Sequence, residues 1–185
     1  MNQVRSERRS LLGYIQRGDV STFNWCMRRR RRELFTAAGR LISRTADGPG
    51  YLAAPLALAP IDHAAAVTLL ALLATAFAIE RPLYALLKRS LKRNRPADAV
   101  PGFESFVVPA DKFSFPSGHT SGAFLTATAI GTLLPFLLPP LLVWAALVGI
   151  SRVFLGVHFP TDIVAGALMG SGIAMLAVRI IGVSS

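Results

Sequence analysis

Three groups of residues in this chain have types and spacings that suit chemistry on an anion. The first is Lys88, Arg95 and Pro96, the second is Ser117-Gly118-His119 behind Pro116, and the third is Ser151-Arg152-x5-His158-x3-Asp162. Positions 88, 92 and 95 are spaced i, i+4, i+7, so Lys88, Lys92 and Arg95 share one helix face. Pro116 punctuates the chain, Ser117 suits an N-cap, and Gly118 lets a ligand approach the backbone just before the apolar run Ala123–Leu138. The free N–H groups and positive dipole end of a helix starting there make an anion site, with His119 beside it. Ser151 and His158 fall two turns apart on one helical stripe; Arg152 lies off that stripe and needs its length to reach the same place. Pro160 restarts the helix and puts Asp162 in its first turn, near His158. An arginine inside an apolar helix is costly in lipid, which favours a function for Arg152.

The elements that must position these groups are apolar. The chain has 185 residues, of which 52% are hydrophobic, and a mean hydropathy of +0.48, above a typical soluble domain. Expected spans run over about 64–88, 118–136, 140–157 and 161–182, with a shorter limb at 47–60 that contains Pro55 and a break at Pro60-Ile61-Asp62-His63. The spacings Gly118/Gly122 and Gly166/Gly170 let helices approach closely in lipid. With this count all three groups emerge on one side of the bilayer, while His63 lies on the other and reads as structural or interfacial. Alone, each group has an ordinary explanation: a positive-inside loop, a helix cap, a structural hydrogen bond. Their order and shared face argue for one site. Glu80 and Arg81 read as packing or a local ion pair. The loop 97–115 carries Phe103, Phe106, Phe113 and Phe115 and is placed to shape the mouth of the pocket, its aromatics touching lipid chains or resting at the interface.

Charge is uneven. Lys+Arg number 20 against 10 Asp+Glu, a formal net of +10, and eleven of the basic residues are arginines before residue 45. Clusters stand at Arg5, Arg8, Arg9 and at Arg28 to Arg32, followed by the turn signal Asp47-Gly48-Pro49-Gly50. Such an arm is either solvated or lies on anionic lipid headgroups, helped by Phe23, Trp25 and Leu34 to Ile42. A nucleic-acid partner is not expected, since no recognisable module is present. The single Cys26 carries no disulfide or metal spacing. No secretory leader is expected, because the first apolar run comes only after about fifty residues.

Taken together, Lys88-x6-Arg95-Pro96, Pro116-Ser117-Gly118-His119 and Ser151-Arg152-x5-His158-x3-Asp162, with gaps of 19 and 31 residues, resemble the three-part signature of the type 2 phosphatidic acid phosphatase (PAP2) superfamily. The resemblance covers roughly 45–182 and implies an all-α, polytopic membrane helical bundle, here of about five spans. It divides the chain into a basic arm, 1–45, and a phosphatase domain, 46–185, the arm standing where the family has its first helix. It implies His158 as nucleophile through a phosphohistidine, Asp162 fixing the tautomer of its ring, and His119 as general acid. Lys88, Arg95 and Arg152 would clamp the phosphoryl oxygens, with Ser117 and the Gly118 N–H completing the cradle. Three cations can take the place of a metal, so neither metal nor other cofactor is expected.

The implied substrate is a lipid phosphate or pyrophosphate: an isoprenyl pyrophosphate, phosphatidate or phosphatidylglycerophosphate, or a phosphorylated prenyl sugar. The expected location is a bacterial inner (plasma) membrane. If the 47–60 limb crosses, the basic arm and the site share a side, which the positive-inside rule makes cytoplasmic; if it does not, they are on opposite sides. Two competing readings are a vanadate-dependent haloperoxidase, which the apolar spans oppose, and a silent phospholipid-binding or lipid-carrying membrane protein. The latter has no need of His119, His158 and Asp162 together.

Overall fold

In the computed structural model, residues 11–28 and 32–183 are described. The expected arginine clusters at Arg5, Arg8 and Arg9 and at Arg29 to Arg31 lie outside them. The described residues form helices α1 (Leu11–Met27), α2 (Arg32–Arg44), α3 (Ala53–Leu58), α4 (His63–Leu91), α5 (Pro96–Ala99), α6 (Gly118–Leu133), α7 (Leu138–Phe154) and α8 (Pro160–Ile181), with 3-10 turns at Gly48–Leu52 and Pro135–Leu137.

The stretches His63–Ala99, Pro135–Phe154 and Pro160–Ile181 are long and apolar enough to cross a bilayer. Their outer faces expose Val67, Leu86, Val143, Leu147, Leu168 and Met175, as a lipid-facing surface would. The start of α4 follows from a cap: Asp62 Oδ1 accepts a hydrogen bond from the Ala65 N–H at 2.9 Å. Its end follows from Lys92, which turns left-handed at φ 45°.

Helix α6 is the centre of the bundle. It has 16 residues, short for a span, and buries nearly every side of itself, from Thr120 and Ser121 through Leu125 to Ile130. Its main partner is α8, which starts at the same end and runs parallel to it. A Cβ added at Gly166 would lie 2.6 Å from the Ser117 carbonyl oxygen, and one at Gly170 only 2.1 Å from that of Ser121. The Gly166/Gly170 pair therefore lets the two backbones touch, as expected. Gly118 and Gly122 act otherwise: they make room for tyrosines, the Tyr84 ring at 2.9 Å and the Tyr51 hydroxyl at 2.5 Å from the added Cβ.

The helix expected over 140–157 stops at Phe154. Gly156 breaks it with φ +76°, where an added Cβ would also meet the Phe103 ring at 2.5 Å. His158 is thus in a loop and does not share a helical stripe with Ser151. The 97–115 segment clamps this loop: Ser105 Oγ donates to the Gly156 carbonyl at 2.8 Å, and the Phe106 N–H donates to that of Leu155 at 3.0 Å.

The limb at 47–60 is no single helix but a 3-10 turn followed by the six-residue α3. It runs from the site end of the bundle, where Asp47 meets His119, down past Phe77 to the start of α4 at His63. Helices α1 and α2 pack at the site end, against α7 and α8. Phe23 of α1 is fully buried between Phe103 and Phe159, at centroid distances of 5.0 and 5.7 Å. The side of α2 facing α7 is small and polar (Thr36, Gly39, Ser43), while its large apolar residues Leu34 and Leu41 face outward.

The glycine contact makes a direct prediction. Gly170→Leu should lower thermal stability in detergent by about 1–3 kcal/mol or more, since the clash is with backbone. Gly172→Leu, whose added Cβ meets nothing within 4 Å, should leave it nearly unchanged. Equal effects of the two substitutions would contradict this packing.

Candidate active site

The three sequence groups converge at the site end of α4, α6 and α8, as their order along alternating spans requires. Asp162 sits in the first turn of α8 with no exposure. Its Oδ2 accepts the Phe159 N–H at 2.8 Å and faces His158 Nδ1 at 3.5 Å, the outer limit of a hydrogen bond. Its Oδ1 accepts from Arg93 Nη1 at 2.6 Å. Its backbone carbonyl accepts the Ser117 N–H at 3.1 Å, which ties the start of α6 to that of α8. His158 itself is 3% exposed, and Nδ1 has no other partner among the described residues.

Lys88 and Arg95 meet on one carboxylate. Asp111 Oδ1 accepts from Lys88 Nζ and from Arg95 Nη2, the latter at 2.7 Å, while Oδ2 accepts from the Tyr84 hydroxyl at 2.7 Å. Lys88 also donates to the Phe113 carbonyl, and Arg95 to the carbonyls of Asp111 at 2.9 Å and Val157 at 2.6 Å. Partial burial of Asp111 works against its ionisation. Hydrogen bonds from Lys88 and Tyr84, with the charges of Lys88 and Arg95, outweigh it and hold the carboxyl below its ordinary range. Arg152 is engaged differently: Nη1 donates to Ser43 Oγ of α2 at 2.6 Å, and its buried Nε has no partner among the described residues. His119 Nε2 lies 3.1 Å from Asp47 Oδ1. Ser117 occupies the N-cap position of α6, but its hydroxyl caps no backbone N–H and instead accepts from Thr120 Oγ1 at 2.9 Å.

These groups open on a cavity of about 540 Å³. Arg95, Gly118, His119, Arg152 and His158 form its polar end, whereas Lys88, Ser117 and Asp162 stand behind that surface. Leu70, Leu73, Ala74 and Phe77 of α4 and Leu52 make the apolar remainder. The four phenylalanines of the 97–115 loop are not on its wall; Phe103 is packed against Gly156 and Phe23 instead. Among the described residues, no cluster of three or more His, Cys, Asp or Glu is arranged to hold a metal.

Arg93, Asp111, Asp47 and Tyr84 were not legible as site residues. Arg93 donates to Asp162, Thr161 and Gln16 and pairs with Asp19 of α1, which is buried and also accepts the Thr161 N–H at 3.0 Å. In the run Lys92-Arg93-Asn94-Arg95 nothing separates this arginine from a solvated basic loop. A weak signal existed in Asp19 and Phe23, whose i, i+4 spacing marks one inward face of α1.

Burial pushes the His158 imidazole down to about 4, with Asp162 pulling the other way. Between that value and the ordinary imidazole range near 6.5, the unfolded chain takes up a proton that the folded chain does not, so stability rises with pH across this window. Thermal stability in detergent should therefore fall as pH is lowered from about 6.5 towards 4. His158→Gln should flatten that slope, and an unchanged slope in the variant would contradict the burial argument.

Comparison with known proteins adds the family. An undecaprenyl-diphosphatase of Sulfolobus acidocaldarius is 45% identical over 78 residues, which are 39% of this chain and 35% of that protein. Phosphatidylglycerophosphatase B of Bacillus subtilis is 40% identical over 105 residues, 51% of this chain and 49% of that one. The chain thus spans half or less of the length of these curated relatives. In structure, a transmembrane PAP2-type phosphatidylglycerolphosphate phosphatase from Bacillus subtilis superposes with a TM-score of 0.70 at 25% identity, over 95% of this chain and 89% of that one. The family described as the PAP2 superfamily matches residues 64–184, more than half of the chain, and the chain belongs to it.

Proposed function

We propose that this integral membrane protein is a lipid phosphatase, hydrolysing the phosphate or pyrophosphate head of a lipid through a phosphohistidine. One observation carries the reading. A single cavity joins two histidines and two arginines at one end to an apolar wall at the other, so an amphiphile would place its head on His158 and its tail along α4.

The chemistry follows from the positions. Asp162, fixed by Arg93 and the Phe159 N–H, faces Nδ1 of His158 and holds its proton there, leaving the Nε2 lone pair free. Nε2 attacks phosphorus; the bond from phosphorus to the lipid oxygen breaks, and the departing oxygen takes a proton from His119. Water then attacks the phosphohistidine and gives its proton to His119, which releases phosphate and restores His158. Arg152, whose Nε has no partner among the described residues, and Arg95 neutralise the phosphoryl oxygens, and the α6 N-terminus at Ser117 and Gly118 adds its dipole. A phosphate competes with the Asp111 carboxylate for Lys88 and Arg95, so these two cations serve the substrate as Asp111 yields them.

Detergent-purified protein should release phosphate from at least one of prenyl diphosphate, prenyl monophosphate, phosphatidate and phosphatidylglycerophosphate, with chelator present throughout. His158→Ala should lower the rate by a factor of about a thousand or more, on the order of the loss when a nucleophile is removed. Release from none of these lipids by folded protein would favour a silent lipid binder. Activity lost in chelator and restored by magnesium would contradict the metal-free mechanism.

The site end also carries the basic helices α1 and α2, with Arg28, Arg40 and Arg44 beside exposed Tyr14, Trp25 and Leu41. This composition suits anionic headgroups, and the positive-inside rule makes that end cytoplasmic. Exposed Ser21, changed to cysteine in a Cys26→Ser background, should react with an impermeant thiol reagent in inverted vesicles. Reaction only in intact cells would reverse the orientation.

A further inference from the structure

The cavity follows one stripe of α4. Its wall takes Leu70, Leu73, Ala74, Phe77, Arg81 and Tyr84 from that helix, positions that recur at helical spacing along a single face. From Tyr84 to Leu70 this trench descends about 21 Å at 1.5 Å per residue. Tyr84 belongs to the head-group end through its bond to Asp111, and everything below Arg81 on the stripe is apolar. Arg81 marks the junction between head and tail.

Its state is unlike that of the other cations. Lys88, Arg95 and Arg152 are buried, whereas the Arg81 side chain is 54% exposed and lines the cavity. Fully buried Glu80 pairs with its Nε, which fixes the guanidinium from behind. The rings of Tyr84 and Phe77 lie 5.0 and 5.9 Å from it, on either side along the stripe. Neither Nη has a hydrogen-bond partner among the described residues, so both remain available to a ligand in the cavity that Arg81 lines. A charge placed in a membrane helix and held this way calls for a ligand.

We propose that Arg81 binds a second phosphate of the substrate, the one that joins the reacting phosphate to the tail, so that the preferred substrate class is a lipid diphosphate. This rests on the lipid-phosphatase reading above and narrows it. In the reaction, His158 attacks the terminal phosphorus and the bridging P–O bond breaks. The electron pair leaves with the lipid monophosphate, whose bridging oxygen takes the proton of His119. Arg81 neutralises the phosphate that remains on the leaving group, before and after the bond breaks.

The test compares prenyl diphosphate with prenyl monophosphate of the same chain length, using the full chain in detergent. The wild-type protein should prefer the diphosphate in kcat/KM, and Arg81→Met, which keeps an apolar stem, should lower that preference about tenfold or more. Arg81→Lys should restore part of it. Equal loss on both lipids, or an unchanged preference, would overturn the proposal. Because Arg81→Met strands buried Glu80, the pair Glu80→Gln/Arg81→Met is measured beside it; a preference retained in that folded double variant would also overturn it.

A binding readout separates this proposal from the catalytic reading. Inorganic pyrophosphate should raise the thermal stability of the His158→Ala protein more than inorganic phosphate does, and Arg81→Met should abolish the difference. If that holds while no lipid is hydrolysed, the phosphatase reading fails and the second anion site stands. If the two anions protect equally, the second site fails whatever the turnover shows.

Discussion

A carboxylate with no access to water must be held by groups that replace its hydration, and Asp162 is held from four directions. Arg93 supplies the countercharge on one oxygen, the Phe159 N–H occupies the other, His158 faces that same oxygen, and the Asp162 carbonyl receives the Ser117 N–H. The contacts come from three segments: Arg93 after α4, Ser117 at the start of α6, and His158 and Phe159 in the loop before α8. Together they fix the loop after α7, the start of α8, the start of α6 and, through Arg93 and Asp19, helix α1. The imidazole that faces Asp162 is oriented because its neighbour cannot move.

Close packing sets the frame in which this is possible. The Ser117 N–H reaches the Asp162 carbonyl because Gly166 and Gly170 let α8 lie directly on the α6 backbone. A side chain at either glycine would push the two helix starts apart, and with them the two halves of the site. Charge is balanced within the same frame. Asp111 holds both Lys88 and Arg95, so these cations are ordered without leaving like charges unopposed. Arg152 is steadied instead by Ser43 of α2, which makes the N-terminal helices part of the site's support.

The sequence revealed the bundle and the grouping of the site because both are written in long-range regularities. Apolar runs of spanning length alternate direction, so Lys88, His119 and His158 had to share an end. What it hid depends on partners. Arg93 and Arg95 look alike in a basic run, yet one serves Asp162 and the other Asp111 and Val157. Phe103 and its neighbours read as lipid-facing aromatics, but Phe103 fills the space that Gly156 leaves open. That same glycine ended a helix the apolar pattern would have carried on to Val157, and so moved His158 off the stripe of Ser151. Helices α1 and α2 were masked by their arginines, since an arm so basic reads as solvated until Asp19, Phe23 and Ser43 are seen to face inward.

The proposed hydrolysis requires His158 to bond covalently to phosphorus, with Asp162 fixing its tautomer. Rapid quenching of the purified protein with a lipid substrate labelled in its terminal phosphate tests it most directly. An acid-labile, base-stable phosphoryl group should appear on His158, formed and lost at rates that match turnover, and absent in His158→Gln. Full turnover with no trapped label, or label on another residue with turnover intact in the variant, would contradict it.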